Sequence, residues 1–279
     1  MSTGSYAIRG TLLAARASTL QFMMENATRI RIAAVADIHC TKKSLEPVRD
    51  LLTAMARDAD ILLLGGDLCD TGLVAEAEVV ARAVAALNVP IIAVLGNHDF
   101  ECGKADEVEA IVSDAGITIL DGKACEIEGI GFAGVKGFAG GFGERALQGW
   151  GEPSIKSFVR EAVEEALKLE SALASLRTEK RIALLHYAPI VDTVVGEPPE
   201  IFPFLGSSRL EEPLNRYSVT AVFHGHAHRG AIQGVTQGGV PVYNVARALL
   251  QRSDPRAAPY RIFEIDRQDQ RREHNGAAS

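Results

Sequence analysis

The chain has 279 residues, enough for one large core, and no Pro/Gly/Ser-rich linker divides it. A net charge of −7 argues against a general nucleic-acid binder, whose phosphate affinity rests on many Lys and Arg side chains. A nuclease or a small phosphorylated substrate stays open, because bound cations offset local charge.

From the N-terminus, residues 1–28 read as a helical extension with a helix over 10–24. The apolar stretch "TLLAA" stops at Arg16, too short for a signal-peptide core, and no run approaches the roughly 18 residues of a membrane span. The main domain is expected over 29–266. "RIAAVA" (31–36) reads as a strand followed by a helix over 44–57. "DILLLGG" (60–66) is followed by a helix over 73–87, and "PIIAVLG" (90–96) by one over 104–115. Short apolar runs alternating with helical patterns predict βαβ units and a largely parallel sheet. "ITIL" (117–120) comes next, then "CEIEGIGFAGV" (125–135), a hairpin turning near Glu128 and Gly129. A charged helix spans 154–177. "RIALLH", "VTAVFH", "AIQGV" and "VPVYNV" read as further strands, "YRIFEID" as the last, and 267–279 as a polar tail.

The chemistry lies at the strand ends. "RIAAVA" runs into Asp37-Ile38-His39, and "ILLL" into Gly65-Gly66-Asp67. "IIAVL" runs into Gly96-Asn97-His98-Asp99, "RIALL" into His186, and "VTAVF" into His224-Gly225-His226-Ala227-His228. Open α/β sheets bind ligands at the carboxyl ends of their strands, so five polar clusters at five such ends converge in space. Six of the seven histidines sit in these clusters; only His274, in the tail, does not. Imidazole nitrogens mixed with carboxylate oxygens suit Mn, Fe or Zn. The donors outnumber what one tetrahedral zinc takes. Two ions fit the count, with Asp67 as the carboxylate able to bridge, since the glycines before it permit close backbone approach.

The motifs D-x-H (37–39), GD (66–67), GNHD (96–99), a lone strand-ending His (186) and GHxH (225–228), in that order, resemble the calcineurin-like metallophosphoesterase family. The resemblance implies an α/β fold, a four-layer α/β/β/α sandwich, with a dinuclear centre at the strand ends. Position by position it implies Asp37, His39 and His228 on one metal, Asn97, His186 and His226 on the other, and Asp67 on both. His98 becomes the acid for the leaving oxygen and Asp99 its orienter, accepting the other ring proton. His224 has no ligand role. The implied reaction is hydrolysis of a phosphate ester, a phosphodiester being slightly favoured, by a hydroxide bridging the two metals. A phosphomonoesterase or protein phosphatase of the same fold remains open, as does a non-catalytic metal-binding interaction module.

Two loops are expected to shape the pocket. One spans 136–153, glycine-rich with Phe138, Phe142 and Trp150; these aromatics either stack on substrate or clamp the loop to the core. The other spans 188–209, whose prolines predict a stiff irregular cover. Arg229 and Arg247 are candidate phosphate-binding residues, against a plain surface-charge alternative. Cys40, Cys69, Cys102 and Cys125 lack CxxC spacing and read as reduced thiols of a cytoplasmic protein. The expected partner is a small phosphate-ester substrate. No membrane is implied, and there is no evident basic surface for nucleic acid.

Overall fold

The run from Arg29 to Val35 forms β1, and its side chains enter two different cores. Ile30, Ile32 and Ala34 face one way, Ala33 and Val35 the other. A strand buried on both faces needs near-continuous apolar sequence, as β1 has from Ile32 to Val35. The computed structural model describes residues 29–267. The helix expected over 10–24, His274 and nearly all of the expected tail lie outside the described residues.

After β1 come α1 (Leu45–Asp58), β2 (Ile61–Gly65), α2 (Val74–Val84), β3 (Ile91–Val94), α3 (Ala105–Asp114) and β4 (Ile117–Ile119). With β11 (Arg261–Asp266) these strands build one sheet in the order β11-β1-β2-β3-β4, parallel except for β11. The chain crosses to a second sheet through β5 (Lys123–Ile127) and β6 (Ile130–Val135). Glu128 and Gly129, both at positive φ, make the two-residue turn between them, matching the strand twist that such turns require. The helix α4 (Pro153–Ser175) starts with proline at its first position, where a missing N–H costs nothing. Then follow β7 (Lys180–Leu185), α5 (Phe202–Leu205), α6 (Glu211–Arg216), β8 (Ala221–His224), β9 (Gln233–Val235), β10 (Pro241–Asn244) and α7 (Arg247–Ser253). The second sheet runs β5-β6-β7-β8-β10-β9, with β6, β7, β8 and β10 parallel.

The strands' alternation sorts side chains into layers. Ile32, Leu63 and Ile92 of the first sheet meet Phe132, Leu184 and Phe223 of the second in the core between the sheets. On the outer face of the first sheet, Leu62 and Leu64 pack under α1, α2 and α3 through Leu52, Met55, Val80 and Val108. On the outer face of the second, Ala133, Ala183 and Val222 pack with Leu169 and Leu173 of α4 and Leu214 of α6. The expected four layers, helices on two facing sheets, are therefore present.

The sheets join at one edge. Ala36, just past β1, bridges Ala246, just past β10, and its N–H donates to the Val245 carbonyl at 2.9 Å. This stitch lies at the carboxyl ends of the parallel strands of both sheets. The cover over 188–209 departs from an irregular loop: it is a series of short helical turns at 191–193, 199–201, Phe202–Leu205 and 208–210. The helices α6 and α7 have no counterpart in the sequence reading. Both are at most two turns long, below the length at which apolar periodicity is visible.

Candidate metal centre

Three of the five strand ends bend sharply to present their polar residues. Asp37, His39, Asp67 and His226 all hold positive φ, at 58°, 48°, 50° and 67°. Non-glycine residues rarely adopt this conformation, and where they do the surrounding structure must enforce it. Backbone bonds between neighbouring strand ends do so: Asp37 N–H donates to the Gly66 carbonyl at 3.0 Å, His39 N–H to Asp67 at 3.0 Å, and Gly225 N–H to His186 at 3.1 Å. The glycines supply room. A Cβ on Gly96 would fall 2.1 Å from Asp67 Oδ1, and one on Gly66, itself at φ 88°, would fall 2.5 Å from His186 Nδ1.

The side chains gather in three overlapping groups, two made of the expected ligands and a third that joins His39, Asp70 and His98. One ligand atom each from Asp37, His39 and His228 lie within 4.8 Å of one another, and the same holds for Asp67, His186 and His226. Asp67 stands between these two groups: its Oδ2 is 3.9 Å from His39 Nε2 and its Oδ1 is 3.4 Å from His186 Nε2. Asp37 Oδ1 lies 3.2 Å from His228 Nε2. Asp37 and Asp67 are buried. Burial opposes ionisation of Asp37, but His228, His186 and His226 outweigh it and hold the carboxyl below its usual range. Asp37 in turn raises His228, against its burial. Burial lowers His39, and lowers His226 to about 3, so both rings are neutral and able to ligate at pH 7.

The donor set fits cations. His186 Nδ1 meets the Gly65 carbonyl at 2.9 Å; a carbonyl only accepts, so the proton is on Nδ1. That leaves Nε2 facing Asn97 Oδ1 at 2.8 Å and Asp67 Oδ1 at 3.4 Å, three nitrogen and oxygen donors of the kind that ligate a cation. His226 repeats the logic. Its Nε2 meets the Phe204 carbonyl at 3.1 Å, leaving Nδ1 free for an ion, the usual way a backbone group orients a ligating imidazole.

His98 N–H donates to Asp67 Oδ1 at 2.9 Å, and its Nδ1 meets the Asp70 carbonyl at 2.6 Å. The ring lies edge-on to His39, 4.6 Å between centroids. Burial lowers the His98 pKa, but the Asp70 carbonyl and the charges of Asp67, Glu101 and Asp70 outweigh it and raise it above the ordinary value.

Asp99 is placed otherwise than the orienter role requires. Its carboxylate is fully buried and accepts three backbone N–H bonds, from Gly96 at 2.8 Å, Leu68 at 3.2 Å and Cys69 at 2.7 Å. His98 Nδ1 is on Asp70, so the ring proton goes to a main-chain carbonyl. Asp99 instead clamps the loop after β2 to the loop after β3. Burial pushes its carboxyl up to about 6. His224 bonds Thr193 Oγ1 and the Gly225 carbonyl, both at 2.8 Å, away from the ligand groups.

The expected substrate-binding side chains are scattered. Phe138 packs on Phe158 and Tyr187 at 4.9 and 6.0 Å, and Phe142 joins a small cluster with Ala188, Val194 and Ala227. Both aromatics thus clamp their loop to the body. Arg229 is exposed, with its N–H on Glu197 at 2.6 Å. Arg247 opens α7, its N–H on the Ala36 carbonyl and its buried Nε without a partner. Cys40 and Cys69 are free and buried side by side in neighbouring loops, where burial raises both thiols, Cys40 to about 12. Among the described residues no helix is long and apolar enough to cross a membrane.

Asp70 and Tyr187 join the site without a motif to mark them. Asp70 Oδ1 is 3.6 Å from His39 Nδ1, and the Tyr187 ring is 4.5 Å from that of His226. Their one signal in the sequence is adjacency: each lies within three residues of a candidate ligand or at a neighbouring strand end.

Comparison with known proteins gives three findings. The calcineurin-like phosphoesterase family profile matches residues 30–230. A search of curated proteins found no match. Among solved structures, the phosphopantetheinyl hydrolase of Mycobacterium tuberculosis is similar with a TM-score of 0.61 at 15% identity, over 83% of this chain and 95% of that one. TT1561 of Thermus thermophilus is similar with a TM-score of 0.50 at 15% identity, over 86% of this chain and 100% of that one. At such identity these two likenesses concern the fold.

Proposed function

Because the chain belongs to the calcineurin-like phosphoesterase family, we propose that it is a two-metal phosphoric ester hydrolase acting at the joined strand ends. Asp37, His39 and His228 would hold one ion, Asn97, His186 and His226 the other, and Asp67 both. The observation that carries this reading is the position of the Asp67 carboxylate, with one oxygen toward each histidine group. When bound, such ions supply a nucleophile at neutral pH and neutralise phosphoryl oxygens. Mn, Fe and Zn all suit the donor set.

His98 serves as the acid. The Asp70 carbonyl fixes the proton on Nδ1 and leaves Nε2 to donate to the departing oxygen. A raised pKa keeps more of the ring protonated near neutrality, as a proton donor needs. Asp67 holds the His98 backbone in place, so ligand and acid share one anchor. A phosphodiester is the preferred substrate, because a diester brings a single negative charge. Among the described residues, Asp37 and Asp67 have only histidines, and no Lys or Arg, within 4 Å.

Purified protein loaded with Mn, Fe or Zn tests this. We expect about two ions bound per chain, and hydrolysis of bis-para-nitrophenyl phosphate faster than of para-nitrophenyl phosphate. Absence of turnover with every metal, together with binding below one ion per chain, would refute the enzyme reading and favour an interaction module.

A further inference from the structure

Lys136 comes directly after β6, and β6 lies beside β7 in parallel register, Val135 opposite Leu185. The next residues in line are Lys136 and His186. The backbone N–H groups of His186 and Tyr187 both donate to the Lys136 carbonyl at 3.0 Å. Lys136 stands just past the end of β6, and two of the rings around it, Phe138 and Tyr187, pack with the core on the outer face of the second sheet. Its ammonium is 5.4 Å from the centre of the Phe100 ring, which belongs to the loop carrying Asn97 and His98. It is 5.4 Å from the Tyr187 ring and 4.9 Å from the Phe138 ring. The Tyr187 ring in turn touches His226.

Among the described residues no carboxylate pairs with this cation directly; Glu165, Glu161 and Asp121 act on its charge only from farther away. Its Nζ donates one bond, to the Gly137 carbonyl at 3.0 Å, out of three it can make. Among the described residues no carboxylate lies within 4 Å of it. The buried carboxylate of Glu165 is already engaged by Lys168 Nζ and Gly137 N–H, both at 2.8 Å. Aromatic faces stabilise an ammonium while leaving its remaining N–H bonds free. Phe100 is 45% exposed, and Lys136 itself is partly exposed.

We propose that Lys136 is a specificity-determining residue that binds a second anionic group of the substrate, one organic spacer away from the scissile phosphorus. This rests on the metal-centre reading above and deepens it: the substrate class becomes phosphodiesters of which one arm carries a carboxylate or further phosphate.

The test uses two probes that differ only in the second anion, 3-phosphoglycerate and glycerol 3-phosphate. Calorimetry on the Mn-loaded full-length protein gives their Kd values without requiring turnover. Wild type should bind the carboxylate-bearing probe about 10-fold more tightly. Lys136→Met should bring the ratio of the two Kd values to about 1, and Lys136→Arg should keep most of the preference. Lys136→Gln replaces the methionine variant should that one not fold. Equal binding of both probes by wild type, or a preference that survives loss of the charge, overturns the inference. Hydrolysis of bis-para-nitrophenyl phosphate by wild type reports separately on the metal-centre reading: turnover without a Lys136-dependent preference sinks only the specificity role.

Discussion

Asp99 offers the sharpest test of the site's architecture, because two readings of it predict opposite results. If it clamps two loops, replacing it by Ala orphans the N–H groups of Gly96, Leu68 and Cys69, all in a buried setting. A buried donor left unpaired costs about 1–3 kcal/mol, and three that share one neighbourhood relax together, so the total is about 3–5 kcal/mol. With a urea slope of about 3 kcal/mol per molar, the metal-free midpoint falls by about 1–1.7 M at pH 5. Asn keeps an oxygen for two of the three donors and turns its amide toward the third, so Asp99→Asn costs about 1–2 kcal/mol. The pH dependence adds an independent check. Burial raises this carboxyl from 3.8 to about 6, so the folded chain holds the proton more tightly than the unfolded chain does. Its contribution is full below about pH 4 and is lost as pH rises through about 6. The gap between wild type and Asp99→Ala should therefore narrow by about 2–3 kcal/mol between pH 4 and pH 8. Urea titrations of the metal-free proteins across that range measure all three quantities. A midpoint moved by less than about 0.3 M, together with a hundred-fold loss of turnover in Asp99→Asn, would return Asp99 to the role of His98's orienter.

The same geometry sets three further outcomes. His98→Ala should lower turnover by about 10²–10⁴-fold while metal content, read by elemental analysis, stays near that of wild type; lost metal would make His98 a ligand. Asp67→Asn should strip both ions, since one carboxylate faces both histidine groups, and retention of one full equivalent would show that it does not bridge. Gly96→Ala places a methyl 2.1 Å from Asp67 Oδ1 and should displace that carboxylate, weakening metal binding at least 10-fold by competition with a chelator. Unchanged affinity would mean that the loop yields without moving Asp67.

The sequence by itself determined where the strands fall along the chain and which polar residues stand at their ends. Strand polarity is a local property: an apolar run such as "IIAV" buried on both faces must stop where Gly96, Asn97 and His98 begin, and parallel strands gather such stops at one edge. The five motifs were legible for that reason, and so was the family. What only the tertiary structure decided is which group meets which partner. Asp99 lies next to His98, and the family resemblance implied that it orients that ring. Yet Asp99 bonds N–H groups about 30 residues earlier, because the loops after β2 and β3 pack against each other. The helical turns of the cover and α6 lie beyond local signal as well: they are too short to show a period and are held by packing on α4, β8 and the loop of Gly141. Lys136 has no motif around it. Its place among Phe100, Phe138 and Tyr187 exists only because three separate chain segments converge there, and no local pattern encodes a contact whose partners are drawn together by the two-sheet core.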